Sequence, residues 1–311
     1  GDFYVPMATT EGTLVNTYHY GMRLLTLAGG ATTHLLKDEI HISPLFKFDN
    51  IRTADFFMQW LNGNFHRIKE KAEETTRHGK LVRLEPHLFD RNVAVKFCYT
   101  TGDASGLNMI MIATDAACKY IQSIVKSKRF YLQGNFSAIK KVTAHNFVAG
   151  YGKSVIAEAM IPGKLIRRFC NISPEEMQDY AQRVHLTTIH AGMVGVSGHA
   201  ANGLTAIFIA CGQDVASVVE SHVSVTNFEV TSDGDLYSSV KLPNLVLGTG
   251  GGGTSLATSR ECLELLGCYG LGKAKKFAEV VSAATLAGEV AICAANAADI
   301  FSGAFPKKRK K

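Results

Sequence analysis

Three ionisable residues, Glu11, Lys140 and Asp214, stand where a charge needs either a partner or a chemical role. Asp214 ends the almost wholly apolar run Ala206 to Cys211, where an unpaired charge is costly. A lysine is its natural partner, and Lys140 or Lys141 can supply it. Glu11 follows Thr9-Thr10 at a helix start, where a carboxylate can serve the helix dipole alone. Brought together, a Glu, a Lys and an Asp would hold a proton on one carboxyl group and aim a cation at a developing oxyanion.

Two loops could carry a ligand. The run Gly248-Thr249-Gly250-Gly251-Gly252-Gly253-Thr254 cannot be the interior of a helix or strand, because glycine loses too much backbone freedom there. It is a loop whose bare backbone approaches something closely, either a packing surface or a phosphate. The second loop, Thr101 to Met109, lies between a strand and a helix and offers Asp103 as a helix cap and Asn108 as a polar reader. With no GxGxxG in the chain, a nucleotide bound here would not be held in the Rossmann manner.

The elements that must position these residues are of mixed type. A helix is expected from Thr10 to about Leu27, stopped by Gly29-Gly30, and a charged helix from Ala54 to Arg77. Strands are expected at Leu81 to Leu84, Asn92 to Thr101, Phe130 to Asn135, Ser154 to Met160, Val223 to Val230 and Leu236 to Val240. Another helix starts at about Ser105, and Ser173-Pro174-Glu175-Glu176 caps one more. Gly198 to Val219 reads as one apolar small-residue helix, and two Ala-rich helices close the chain. The fold class is α+β, and the region from about Pro44 to Lys128 changes character and forms an α+β unit of its own.

With 311 residues, 46% of them hydrophobic, the chain can bury a sizeable core. No uninterrupted apolar stretch reaches the ~20 residues of a bilayer span, so the expectation is a cytoplasmic protein with no membrane partner. Seven cysteines without a CxxC pair argue against disulfides and a structural metal site. The net charge of +6 owes much to Lys307, Lys308, Arg309, Lys310 and Lys311, which argues against a nucleic-acid role for the nearly neutral body.

Val5-Pro6-Met7-Ala8-Thr9-Thr10-Glu11-Gly12, Asp103 to Met109, His199-Ala200-Ala201-Asn202, Gly212-Gln213-Asp214 and Gly248 to Thr254 together resemble the 3-hydroxy-3-methylglutaryl-coenzyme A (HMG-CoA) reductase family, in order and at comparable spacing. The resemblance implies a large substrate-binding domain, a small inserted ferredoxin-like domain for NADP(H), and active sites shared between subunits of a homodimer. It matches Glu11, Lys140 and Asp214 to the catalytic glutamate, lysine and aspartate, and Asn202 to an active-site asparagine. Arg77, Asp103, Asn108, Gly250, Gly251, Gly252 and Thr254 fall near the nicotinamide cofactor, and His199, Lys141, Ile42 and Ile139 near the substrate.

Several matched positions depart from the family. Tyr20 and Ile42 replace arginines, Ile139 an aspartate, and Gln182, next to Arg183, a lysine. The family's thiolate-protonating histidine falls on Phe301-Ser302-Gly303-Ala304-Phe305, and its N-terminal segment has no counterpart in this sequence. Each charge-assisted hydrogen bond lost from HMG is worth ~1.5–3 kcal/mol. The leading expectation is therefore an NADP(H)-dependent reductase of a more apolar carbonyl compound other than HMG-CoA. The alternatives are a non-redox cyclase, isomerase or lyase, a pseudoenzyme, and an HMG-CoA reductase in which His190 or His199 replaces the lost acid.

Overall fold

The computed structural model describes residues 1–299, so the Phe301 to Phe305 stretch and the basic tail lie outside the described residues. Helix α1 (Gly12–Leu27) begins at Glu11 and ends before Gly29-Gly30, as its pattern predicts. Strand β1 (Thr32–Ile42) follows, and no apolar run announces it: exposed and half-covered positions alternate until its last three residues are buried. β2 (Leu45–Lys47) leads to α2 (Ile51–Glu73), which starts three residues before Ala54 because Asn50 and Thr53 form a reciprocal capping box.

β3 (Lys80–Phe89) and β4 (Asn92–Thr100) pair as a hairpin, then α3 (Leu107–Ile124) packs beside α2. The strand expected from Phe130 to Asn135 shrinks to β5 (Arg129–Tyr131), since the Gly134 N–H turns to the Ser43 carbonyl and Asn135 takes φ +65°. α4 (Ala144–Ala149), β6 (Gly152–Ile161), α5 (Gly163–Cys170) and α6 (Pro174–His190) come next, α6 opening on the expected Ser173–Glu176 capping box.

The single helix expected from Gly198 to Val219 is instead broken. α7 (Ala200–Ala210) stops before Gly212, whose φ of +65° no helix continues, and a 3-10 turn at Val215–Ser217 leads into α8 (Val218–Ser221). β7 (Val225–Val230), β8 (Leu236–Leu245), α9 (Ala257–Leu265) and α10 (Ala274–Ala297) complete the fold.

Among the described residues the strands form one eight-stranded sheet in the order β5-β2-β4-β1-β6-β8-β7, with β3 on β4, every pairing antiparallel. β1 joins its halves: Thr32 to Glu39 pair with β6, and Ile40 to Ile42 with β4. One apolar core lies between α2, α3 and β2 to β4, and two further clusters enclose α10. By length and composition α10 could cross a bilayer, but Glu279 and Glu289 interrupt its apolar residues and 89% of its apolar window is buried inside the protein. Helices α1, α7 and α10 meet around fully buried Tyr18; a Cβ at Gly203 or Gly288 would come within 1.9 or 2.3 Å of its ring and hydroxyl.

Candidate functional site

Asp214 caps the 3-10 turn, its Oδ1 accepting the Ala216 N–H at 3.1 Å. Its other oxygen is left for a cation, and the Nζ of Lys140 stands 2.7 Å from it. Lys140 reaches that position from a tight turn in which it adopts φ +56°, a conformation unusual for a long side chain. The neighbouring Lys141 turns aside, its Nζ donating to the Ile139 carbonyl, so Lys140 is the partner of Asp214. Both paired side chains keep about two-fifths of their surface exposed, open enough for a ligand to reach the ammonium group.

A second group forms at the other end of α7. The Asn202 amide donates to a Glu11 oxygen at 3.3 Å, and Thr13 donates to the other at 3.3 Å. His199 stacks obliquely on Tyr18 with ring centroids 5.0 Å apart, and its Nε2 lies 2.8 Å from the Gly288 carbonyl. Burial holds the His199 imidazole below its ordinary pKa, favouring the neutral ring. The backbone entering α7 is fastened by Glu289 of α10, whose carboxyl accepts the Gly198 and His199 N–H groups, the latter at 2.9 Å. Burial raises the Glu289 carboxyl above the usual range while those amides pull it down.

Of the expected trio, Lys140 and Asp214 bond to each other, while Glu11 bonds to Asn202 and Thr13. Asn202 and Ala210 are separated by roughly 12 Å of helix. Among the described residues no hydrogen bond or ion pair joins Glu11 or Asn202 to Lys140 or Asp214.

The positions expected to form an apolar substrate wall face inward. Ile42 is fully buried in the core between α2, α3 and the sheet, and Ile139 packs against that core. The Tyr20 hydroxyl is turned to the Phe169 carbonyl, and Arg183 pairs with Asp179 at 2.8 Å along α6.

The glycine-rich run is partly a packing turn. Thr249 and Gly250 donate to the Asp103 carbonyl at 2.7 and 3.1 Å, and Gly248 donates to the Gln213 side chain at 2.8 Å. Its tip differs: a Cβ at Gly251 or Gly252, with φ of +79° and +56°, would meet only open space. Thr254 closes the tip by donating to the Gly251 carbonyl at 2.7 Å.

Asp103 does not cap α3, which starts at left-handed Gly106. Its carboxylate accepts the Gly272 and Ala274 N–H groups at 2.7 and 3.1 Å and so caps α10, and these bonds hold it below its ordinary pKa despite partial burial. Asn108 is exposed on the first turn of α3, and Arg77 is exposed between α2 and β3. No group of three or more His, Cys, Asp and Glu side chains among the described residues is arranged to hold a metal ion.

Two buried acids escape the sequence reading, Glu289 on α10 and Glu220 on α8. Each is a lone carboxylate in an apolar stretch, the signal that singled out Asp214 and could have found both.

A family model described as hydroxymethylglutaryl-coenzyme A reductase matches residues 1–305. The chain is 41% identical over 305 residues to the 3-hydroxy-3-methylglutaryl-coenzyme A reductase of Methanocaldococcus jannaschii, covering 96% of this chain and 75% of the relative. It is 42% identical over 306 residues to that of Pyrococcus horikoshii, covering 96% and 74%. Its fold is similar to that of the class II reductase of Streptococcus pneumoniae, a structure bound to NADPH, with a TM-score of 0.76 at 18% identity over 95% of this chain and 81% of that one.

Proposed function

Because the chain belongs to the hydroxymethylglutaryl-coenzyme A reductase family, we propose that it is an NADPH-dependent oxidoreductase whose site is completed in a homodimer, Lys140 and Asp214 of one copy meeting Glu11 and Asn202 of another. The observation that carries this reading is the 2.7 Å Lys140–Asp214 pair, open to solvent and presented from a left-handed turn. Bound NADPH supplies the hydride. Lys140 holds positive charge against the carbonyl oxygen as it becomes an oxyanion, Asp214 keeps the ammonium aimed, and Glu11 delivers the proton.

Open space over Gly251 and Gly252 fits a cofactor whose backbone approaches closely. Asn108 and Arg77 are exposed and free to take polar and phosphate groups, whereas Asp103 serves by fastening the loop to α10. Residues 44–131 form the NADP(H)-binding domain and 1–43 with 132–311 the substrate and dimerisation domain. The core of α2, α3 and β2 to β4 supports that division, with Ile40, Ile42, Tyr151 and Val246 of the larger unit packed into its edge.

The first substrate to test is HMG-CoA, the compound named by the relatives. A second reading, reduction of a carbonyl compound that releases no thiol, is favoured by the absence of histidine from residues 301–305. Titration with NADPH and NADH, followed by NADPH oxidation with HMG-CoA and with the corresponding free aldehyde, separates these readings. Gly251→Asp should weaken NADPH binding about tenfold or more, ~1.4 kcal/mol. Turnover of the aldehyde but not the thioester selects the second reading, and failure to bind either nucleotide sinks both.

A further inference from the structure

Lys140 is flanked by one short segment on two sides. Asp214 opens the 3-10 turn and meets the ammonium group, while Glu220, six residues on in α8, faces the main chain of the same lysine. Glu220 is wholly buried, and among the described residues neither of its carboxyl oxygens closes a hydrogen bond of good geometry. The groups that face it are the Lys140 N–H and ammonium charge, its own amide, the Ser217 hydroxyl and Tyr151.

The Tyr151 hydroxyl is itself buried and has no hydrogen-bond partner among the described residues. Helix α7 and strand β8, which pack on α8, contribute Leu204, Ile207, Leu242 and Leu245 to the surrounding apolar cluster. The Ser221 hydroxyl accepts the Val246 N–H at 3.0 Å, which fixes α8 to the chain leaving β8. A buried carboxyl group with unmet hydrogen-bonding capacity beneath a left-handed lysine is an expensive arrangement for packing alone.

We propose that Glu220 is a positioning residue: its buried carboxyl group holds the Lys140 turn and thereby sets how Nζ is presented to Asp214 and to the substrate. Burial pushes its carboxyl up to about 7, so at neutral pH it changes between an acid that can donate to its surroundings and a second anion beside Lys140. In the ionised state it can accept from the Tyr151 hydroxyl and the Lys140 N–H that face it, and it places a second negative charge near the ammonium group. The protonated state leaves Asp214 as the sole counter-charge to the ammonium group. This assignment rests on the reading of Lys140 as the group that polarises the carbonyl.

The test needs no substrate. The whole protein is reductively methylated with carbon-13 formaldehyde, and the Lys140 methyl resonance, identified by its loss in Lys140→Arg, is followed as pH is raised. An inflection at about 7 is expected. It should vanish in Glu220→Gln and move to higher pH in Tyr151→Phe, which removes a donor to the ionised form. If the wild type gives no inflection there, or if the inflection persists in Glu220→Gln, the assignment is overturned. Should Glu220→Gln fail to fold, an unmoved inflection in Tyr151→Phe overturns it equally.

Once a turned-over substrate is known, Glu220→Gln should change the pH profile of kcat while leaving the KM for NADPH within about twofold. A normal resonance titration with no turnover of HMG-CoA would count against the substrate assignment and leave Glu220 in place.

Discussion

The two ends of α7 hold their carboxylates in opposite ways. At its N-terminal end, Glu289 is 2% exposed and filled by main-chain N–H groups, and at its C-terminal end Asp214 keeps one oxygen for an ammonium group that solvent can reach. The first arrangement fixes backbone, because every acceptor is spent on amides that cannot move without unwinding the helix start. The second fixes little backbone and leaves a cation available. A buried, filled carboxylate is thus a fastening, and an open, paired one is equipment for chemistry.

The largest effect is expected from removing the open cation. Lys140→Met should lower kcat by roughly 10²–10³-fold, ~2.7–4 kcal/mol in transition-state stabilisation. Its denaturation midpoint should barely move, since a half-exposed ion pair contributes about 0–1 kcal/mol. A large loss of stability with intact turnover would reverse the roles assigned to the two ends. Glu289→Ala should do the opposite first, destabilising the fold by about 2–4 kcal/mol in urea, because two buried amides lose their acceptor.

The buried acids also give a sign to the pH dependence. Glu220 ionises at 4.5 when unfolded and at about 7 when folded, so the folded state holds the extra proton between those values. Stability conferred by this residue is therefore full below 4.5 and falls as pH rises to about 7. Unfolding measured across that window should show a shallower loss of stability in Glu220→Gln than in the wild type. The smallest effect is expected at the exposed end: Asp214→Asn should change stability by less than about 1 kcal/mol, and less still at high salt.

Much of the fold was legible because local chemistry writes it. The α1 boundaries, the Ser173 capping box and the positions of β4, β7 and β8 follow from caps, turns and apolar periodicity, whereas β3 runs five residues past its expected end at Leu84. β1 was hidden because it is half covered along most of its length and lies between two sheet regions, so its pattern resembles neither a core strand nor an edge. The break after Ala210 was missed because the small apolar residues before Gly212 and the valines after it share one composition, while only the glycine's left-handed backbone separates them.

At the site, the sequence by itself determined that Asp214 needs a cation and that the glycine-rich run must be a loop, because charge burial and backbone entropy depend on residue type and immediate neighbours. Which lysine answers Asp214, that Asp103 fastens α10 instead of starting α3, and that Asn202 is the partner of Glu11 came from tertiary packing. Those choices depend on where distant segments meet in space, and a side chain's partners are set by the elements packed around it as much as by its own chemistry.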